Sequence, residues 1–344
     1  MTNKKPLVSI IILNLNRKKD LMSCLKSLKK QTYSNYEIII IDNASIDGSV
    51  EEIRKKYRKI IIYKTKKNLG TSYTRNAGVK FSKGELIWFL DNDISLENKN
   101  TLKNLIQLFN NNTEIDGIGG EAKINKNKKT TATKSLKLFK NGLTKGYFYK
   151  SKLSKIIPVE VLPTCNLLIK KKIINKIGGF DHFYFFYLED IDLTYRATKK
   201  GYKLFVYHKC SVIHNFSETS RFKNHFTAKK NRIYFILKNY NISSVLLLPF
   251  YDFFYIFNYD NVKRIYSKFF HNQENYINII KESEKNISFI NILNTFKITS
   301  ITLFSIINSY IYIPIYILKY SFGYRRSINY LKEIKTQDFN EIKN

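Results

Sequence analysis

Leu86-Ile87-Trp88-Phe89-Leu90-Asp91-Asn92-Asp93 is the stretch on which the fold turns. Five apolar residues in a row read as a strand covered on both faces, the pattern of a parallel sheet. The strand ends directly on Asp91. Toward the N-terminus the same design recurs. Residues 7–13 are a continuous β-branched run, residues 37–41 are another that ends on Asp42-Asn43-Ala44-Ser45, and residues 60–63 are a shorter one. Helical stretches lie between them: apolar Leu21, Cys24, Leu25 and Leu28 at three-and-four spacing, then residues 49–57 and 72–81. The order β-α-β-α-β predicts a doubly wound α/β domain. In such sheets ligands bind beyond the carboxyl ends of the strands. Asn14, Asp42 and Asp91 all fall at such ends.

Charge singles out the same place. The 344 residues include 59 Lys+Arg against 27 Asp+Glu, a net charge of +32, so carboxylates are the scarcer kind. Two clusters nevertheless sit against apolar sequence: Asp91-Asn92-Asp93, and Glu189-Asp190-Ile191-Asp192 after the aromatic run Phe183-Tyr184-Phe185-Phe186-Tyr187. Grouping acids in this way costs free energy unless a cation or a required chemistry offsets it. Asp91 and Asp93 have the spacing and hard oxygens of a Mg²⁺ or Mn²⁺ site that bridges a diphosphate; a solvated turn is the plain alternative. Apolar surroundings suit the second cluster to a general base. Its plain alternative is acidity complementing a helix N-terminus, with Asp192 paired to Arg196 four residues on. Asp42 is expected to bind a ribose or base, and Asp47 either to do the same or to cap the next helix.

The positive field favours anionic partners: a nucleotide diphosphate or an acidic membrane surface. The basic residues are scattered and form no known nucleic-acid module, so nucleic acid is not expected. Cys24, Cys165 and Cys210 are far apart and form no C-x-x-C pair, which fits a reducing compartment without a disulfide framework or zinc site. Lys4-Lys5 precedes the first apolar run, but that run passes into Asn14-Leu15-Asn16-Arg17 rather than small residues, so a buried strand is expected, not a signal peptide.

Downstream, residues 110–158 are rich in Lys, Asn, Thr and Gly and read as a variable loop region. Order returns over residues 159–169, followed by a helix, the turn Gly178-Gly179-Phe180-Asp181, and a helix opened by the second acidic cluster. Residues 202–207 and 211–214 read as two closing strands. Beyond about Phe226 the chain turns aromatic and apolar at 245–257 and 287–322, with no charge between Lys297 and Lys319. That gap matches a membrane span in length, but Pro314 and the stripe Thr302, Ser305, Ser309, Tyr312, Tyr316 favour an interfacial helix.

Taken in order, these pieces resemble glycosyltransferase family 2, in its rhamnosyltransferase-like, non-processive branch. The residues that carry the likeness are Val8-Ser9-Ile10-Ile11-Ile12, Ile41 through Ser49, Asn68-Leu69-Gly70 with Arg75-Asn76, and Phe89 through Asp93. They continue with Ile177 through Asp181, Glu189 through Leu193 with Arg196, and a late His214. The resemblance implies the GT-A fold, a Rossmann-like mixed α/β sheet flanked by helices, over residues 1–225. Residues 226–344 fall outside the specific resemblance and read as a helical, aromatic-rich C-terminal extension for membrane or partner contact. It further implies Asn14, Asp42, Asn43, Arg75, Asp91 and Asn92 on the donor, Asp93 and His214 on a Mn²⁺ or Mg²⁺ ion, Asp190 as base with Glu189 beside it, and Asn166 and Tyr187 toward the acceptor. The expected activity is inverting transfer of a single sugar from a UDP- or dTDP-linked donor to a glycan or lipid-linked acceptor, in cell-surface polysaccharide synthesis at the cytoplasmic face of the membrane.

Departures are specific. The proline common after the first strand is missing at Asn14-Leu15-Asn16, Thr164-Cys165-Asn166 stands where many relatives carry glycine, and no Q-x-x-R-W follows the second cluster, which argues against a processive synthase. A nucleotidyltransferase should carry a glycine-rich, basic signature after the first strand, and residues 14–18 contain no glycine. The remaining alternative is a non-catalytic nucleotide- or glycan-binding module on a degenerate transferase fold, which intact Asp93 and Asp190 disfavour.

Overall fold

Apolar runs and amphipathic stretches alternate in space as they do in sequence. The computed structural model describes residues 5–126, 129–133, 136–138, 142, 144–146, 156–215, 225–240 and 329–342. The first half is β1 (Val8–Asn14), α1 (Lys18–Leu28), β2 (Tyr36–Asp42), α2 (Ser49–Lys56), β3 (Ile61–Thr65), α3 (Thr71–Phe81) and β4 (Leu86–Leu90). There follow β5 (Ile94–Ser95), α4 (Thr101–Asn111), β6 (Gly117–Lys126), β7 (Lys129–Thr133), β8 (Leu136–Leu138), β9 (Thr144–Gly146), β10 (Ile156–Val159) and β11 (Asn166–Lys170). The chain continues through α5 (Lys171–Lys176), α6 (Glu189–Lys199), β12 (Leu204–His214), α7 (His225–Asn239) and β13 (Phe339–Ile342).

The main sheet is mixed, in the order β10-β12-β6-β11-β4-β1-β2-β3-β13. β1, β2, β3 and β4 are parallel, and the register sets Asn14 opposite Asp42 and Ile12 opposite Leu90. The ends of these strands therefore share one edge of the sheet. One face carries α1, α2 and α4 on a core that includes Ile10, Ile12, Trp88, Leu25 and Leu105. The other carries α3, α5 and α6 on Ile11, Phe89, Ile169, Val79, Ile173 and Leu193. Buried β-branched residues on both faces are what a covered parallel sheet requires.

Three expectations are corrected. Residues 110–158 are not simply loop: β6 runs ten residues through the sheet, parallel to β12 and antiparallel to β11. Its glycines disguised it. A Cβ on Gly120 would lie 1.6 Å from the carbonyl oxygen of Cys210, so only glycine permits the neighbouring backbone to pass. Second, the two closing strands are one, β12, whose register to β6 shifts between Tyr207 and Val212. The resulting bulge re-aims the strand so that His214 pairs with Ile94 of β5, next to Asp93.

The third concerns the domain boundary. Residues 329–342 do not belong to a C-terminal extension, because β13 pairs antiparallel with β3 and closes that edge of the sheet. The chain divides into one unit of residues 1–139, 143–231 and 327–344, and a second of 140–142 and 232–326. In the second unit the described residues are Gly142 and 232–240, the latter carrying the end of α7. The apolar stretches at 245–257 and 287–322, and the uncharged gap between Lys297 and Lys319, lie outside the described residues. Among the described residues no helix is long and apolar enough to cross a membrane.

Candidate active site

The site begins with a buried polar knot at the ends of β1 and β2. Asn14 is 1% exposed, and its Nδ2 donates to Asp42 Oδ2 at 2.9 Å, Ser49 Oγ at 2.9 Å and Ser45 Oγ at 3.1 Å. Its Oδ1 accepts from Asn92 Nδ2 at 3.0 Å. Asp42 also accepts from the Ser45 backbone N–H at 2.8 Å and is wholly buried. Asn43 is bound in the same way, donating to Asn68 Oδ1 at 2.6 Å and accepting from the Leu69 N–H at 2.8 Å. Asn14, Asp42, Asn43 and Asn92 thus hold the loops of this edge together. Asp42, expected at the donor, shapes this loop with one hydrogen bond to each carboxylate oxygen. The N-cap of α2 is Gly48, and Asp47 beside it ties α2 to α1, accepting from the Ser49 hydroxyl at 2.5 Å and from the N–H groups of Lys18 at 2.8 Å and Ser49 at 3.1 Å. These bonds outweigh its burial and hold its pKa below the usual carboxylate value.

Beyond the knot lie the open groups. Asp93 is buried; its Oδ1 is 2.9 Å from His214 Nε2, and its Oδ2 accepts from Arg17 Nη1 at 2.6 Å. Burial alone would raise its pKa, but His214 and Arg17 reverse that and lower it. His214 Nε2 also lies 3.7 Å from Asp91 Oδ2. Burial works against an imidazolium there; the bond to Asp93, with Cys165 and Asp91 nearby, outweighs it and pushes His214 up to about 11. Asp91 is less enclosed, and its pKa is raised by burial against the opposing pull of Arg75 and His214.

Arg75 joins this group to the second acidic cluster. Its Nη1 donates to Glu189 Oε1 at 2.5 Å and its Nη2 to Asp91 Oδ1 at 3.4 Å. Both Arg75 and Glu189 are buried, and burial lowers the guanidinium's pKa while Glu189 and then Asp91 more than offset it, so the net shift is upward. Thr71 Oγ1 adds a second bond to Glu189, at 2.8 Å. Asp190, next along α6, has no arginine of its own. Burial first, and the Glu189 charge second, push it up to about 7. Tyr187 is half-buried just before the pair and stacks against Phe186 with ring centroids 4.3 Å apart. Asp192 is structural, as expected: it receives Arg196 Nε at 2.7 Å, while Arg196 also binds the carbonyls of Ile177 and Gly179, each at 2.6 Å.

Asn166, expected toward the acceptor, sits inside the sheet. It is 1% exposed, accepting from Trp88 Nε1 at 3.0 Å and donating to the Cys210 carbonyl at 2.8 Å, and it locks β4, β11 and β12 together. Three residues at the site escaped sequence reading. Arg17 looks like one more surface cation in a basic chain. Cys165 gathers with Asp91 and His214 only through the β11–β12 arrangement, their ligating atoms lying within 4.8 Å of one another. Asn231 Nδ2 reaches back to the carbonyls of Phe186 and Tyr187. Each contact spans dozens of residues, and no local pattern marks it.

A model described as Glycosyl transferase family 2 matches residues 9–178, from β1 to just past α5. Among curated proteins, Glycosyltransferase AglE of Haloferax volcanii is 29% identical over 209 residues, 59% of this chain and 65% of its own length. This chain belongs to glycosyl transferase family 2. A second family relative is the Escherichia coli UDP-Glc:alpha-D-GlcNAc-diphosphoundecaprenol beta-1,3-glucosyltransferase WfaP, 42% identical over 88 residues, 25% of this chain and 35% of that protein. The match thus spans less than two thirds of either relative's length. Two solved structures share the architecture. The mannosyltransferase PcManGT of Pyrobaculum calidifontis, in complex with GDP-Man and Mn²⁺, aligns with TM-score 0.54 and 11% identity over 90% of this chain and 88% of its own. GalNAc-T7 with UDP, GalNAc and Mn²⁺ aligns with TM-score 0.57 and 16% identity over 69% of this chain and 48% of that one. The fold of this family 2 chain is GT-A, a mixed α/β sheet flanked by helices.

The donor set of this family 2 site suits a hard divalent cation. The donor atoms of Asp91, Cys165 and His214 lie within 4.8 Å of one another, and Asp93 Oδ1 is 2.9 Å from the same His214 Nε2, so carboxylate oxygens and an imidazole nitrogen of the kind Mn²⁺ accepts are at hand. Arg17 and His214 already neutralise Asp93, so a divalent ion here would take the place of the proton on His214 Nε2.

Proposed function

We propose that the chain transfers a single sugar, with inversion, from a nucleotide-diphosphate donor, UDP- or dTDP-linked, to a glycan or lipid-linked acceptor. The observation that carries the reading is Arg75. Through it the donor-side and acceptor-side acids, 98 residues apart at Asp91 and Glu189, become one continuous site. A glycosyl transfer needs both at once: a cationic edge for a departing diphosphate, and a base for an incoming hydroxyl.

In this reading the diphosphate lies along Asp91-Asn92-Asp93, with Arg17 and Arg75 as the cations nearest it. Asp93 and His214, with Asp91 beside them, would hold Mn²⁺ or Mg²⁺, which when bound supplies charge neutralisation for the leaving group. Asp190 receives the proton of the acceptor hydroxyl as the new bond to the anomeric carbon forms. The bond from that carbon to the phosphate oxygen breaks, and its electron pair leaves with the nucleoside diphosphate. A carboxylate near pKa 7 is matched to this task, because it is a stronger base than an ordinary aspartate and a large fraction of it is ionised at neutral pH. Glu189 and Arg75 fix the start of α6 and so the direction of Asp190. The Escherichia coli relative, a glucosyltransferase from UDP-Glc to GlcNAc-diphosphoundecaprenol, supports the donor and acceptor classes, and the net charge of +32 supports action at the anionic, cytoplasmic face of a membrane.

Chelation tests the reading. Transfer should stop when divalent cations are removed and return with Mn²⁺, and an Asp93→Asn chain should need far more Mn²⁺ than the parent. Full turnover in chelator would overturn the metal role.

A further inference from the structure

The turn that delivers the acceptor-side acids has an unfavourable backbone. Tyr187 and Leu188 are consecutive non-glycine residues with φ of 74° and 68°. An L side chain pays for this left-handed region, since its Cβ crowds the next carbonyl. Two in succession persist only where the surroundings over-determine them.

Hydrogen bonds to every carbonyl from Phe185 to Leu188 do so, and Phe185 also accepts from Thr71 Oγ1 at 3.1 Å. The Thr71 N–H binds the Phe185 carbonyl at 2.8 Å, and the Asp192 N–H binds that of Leu188 at 2.8 Å. The two carbonyls between them are both taken by one side chain: Asn231 Nδ2 donates to Phe186 at 2.7 Å and to Tyr187 at 2.8 Å. Asn231 is fully buried, and its own Oδ1 has no hydrogen-bond partner. A buried oxygen left unsatisfied is a cost that an apolar residue would avoid. The position is thus explained by the donor end of the amide, which a leucine lacks and an aspartate lacks.

We propose that Asn231 is a positioning residue for the acceptor-side carboxylates. It holds the left-handed turn, and through the turn the first residues of α6, so that Glu189 meets Arg75 and Asp190 is aimed at the acceptor. The inference rests on the reading of Asp190 as the base.

Two kinds of measurement on the full chain test it. In Asn231→Leu, amide exchange over residues 186–192 should quicken about tenfold or more while amides of β1 and β4 keep their protection. Titration with Mn²⁺ alone should be unchanged, and kcat should fall about a hundredfold with little change in donor KM. Adding Leu188→Gly should recover about tenfold of that loss, because glycine adopts positive φ freely. Should Asn231→Leu fail to fold, Asn231→Asp, which keeps the size and removes the donors, takes its place in the same measurements. Unchanged exchange, an unchanged kcat, a loss that glycine at 188 does not restore, or an equal loss of Mn²⁺ binding would overturn the proposal. Loosening of 186–192 in a chain whose parent transfers no sugar would support the clamp and overturn the catalytic reading instead.

Discussion

Arg75 divides one guanidinium between Glu189 at 2.5 Å and Asp91 at 3.4 Å, and the shorter bond is to the more deeply buried acid. Removing the arginine leaves Glu189 enclosed with no opposite charge. Arg75→Met should therefore destabilise the chain by about 3–5 kcal/mol, the cost typical of a broken buried pair, read as a lower urea midpoint. Asp190 gives the opposite sign. Its folded pKa, about 7, stands above the ordinary 3.8, so the folded state binds the proton more tightly and stability falls as pH rises between those values. Asp190→Asn should melt close to the parent near pH 4 and increasingly above it toward pH 8, by about 2–4 °C for each kcal/mol relieved. In the parent, kcat/KM should rise with pH through about 7, and a flat profile would contradict the assignment. At this scale the sequence shows which residues matter better than it shows what they touch. The acids of both clusters stood out by charge. The partner of Glu189 lies 114 residues away, and neither spacing nor composition points to it.

The elements divide by the same physics. β1, β2 and β4 announce themselves because both faces are buried, and α1 and α2 because only one is. β6 is hidden, since the close approach of Cys210 to Gly120 requires a residue with no hydrophobic signal. β13 is short and lies hundreds of residues from its partner β3, so only the fold reveals that it completes the sheet. Its segment is well tied. Tyr73 Oη donates to Asp338 Oδ2 at 2.5 Å, Lys80 Nζ to the Ile334 carbonyl at 2.7 Å, and Ile334 and Phe339 pack on Ile39, Ile41 and Ala77. Deleting residues 329–342 would uncover this cluster and leave β3 as a bare edge. The truncated chain should lose several degrees of melting temperature and aggregate at concentrations where the parent stays monodisperse in light scattering. A truncated chain as stable as the parent would show that β13 is ornamental.

For the whole molecule, the scarcity of acid in a +32 chain acquires a structural meaning. Asp91, Asp93, Glu189 and Asp190 converge at one edge of one sheet, interleaved with Arg17, Arg75 and His214, so the local charges nearly balance while the surrounding field draws anions inward. In the proposed function this edge is where the nucleotide sugar is handled. The central claim is that the two clusters are halves of a single transfer site. Transfer of labelled sugar from a panel of UDP- and dTDP-sugars to extracted lipid-linked acceptors, by the parent and by Asp190→Asn side by side with Mn²⁺ present, tests it most directly. The account predicts transfer from one donor by the parent, and for Asp190→Asn donor binding within about threefold but transfer reduced about a thousandfold. Transfer by Asp190→Asn at the parental rate, or none by the parent from any donor, would contradict it.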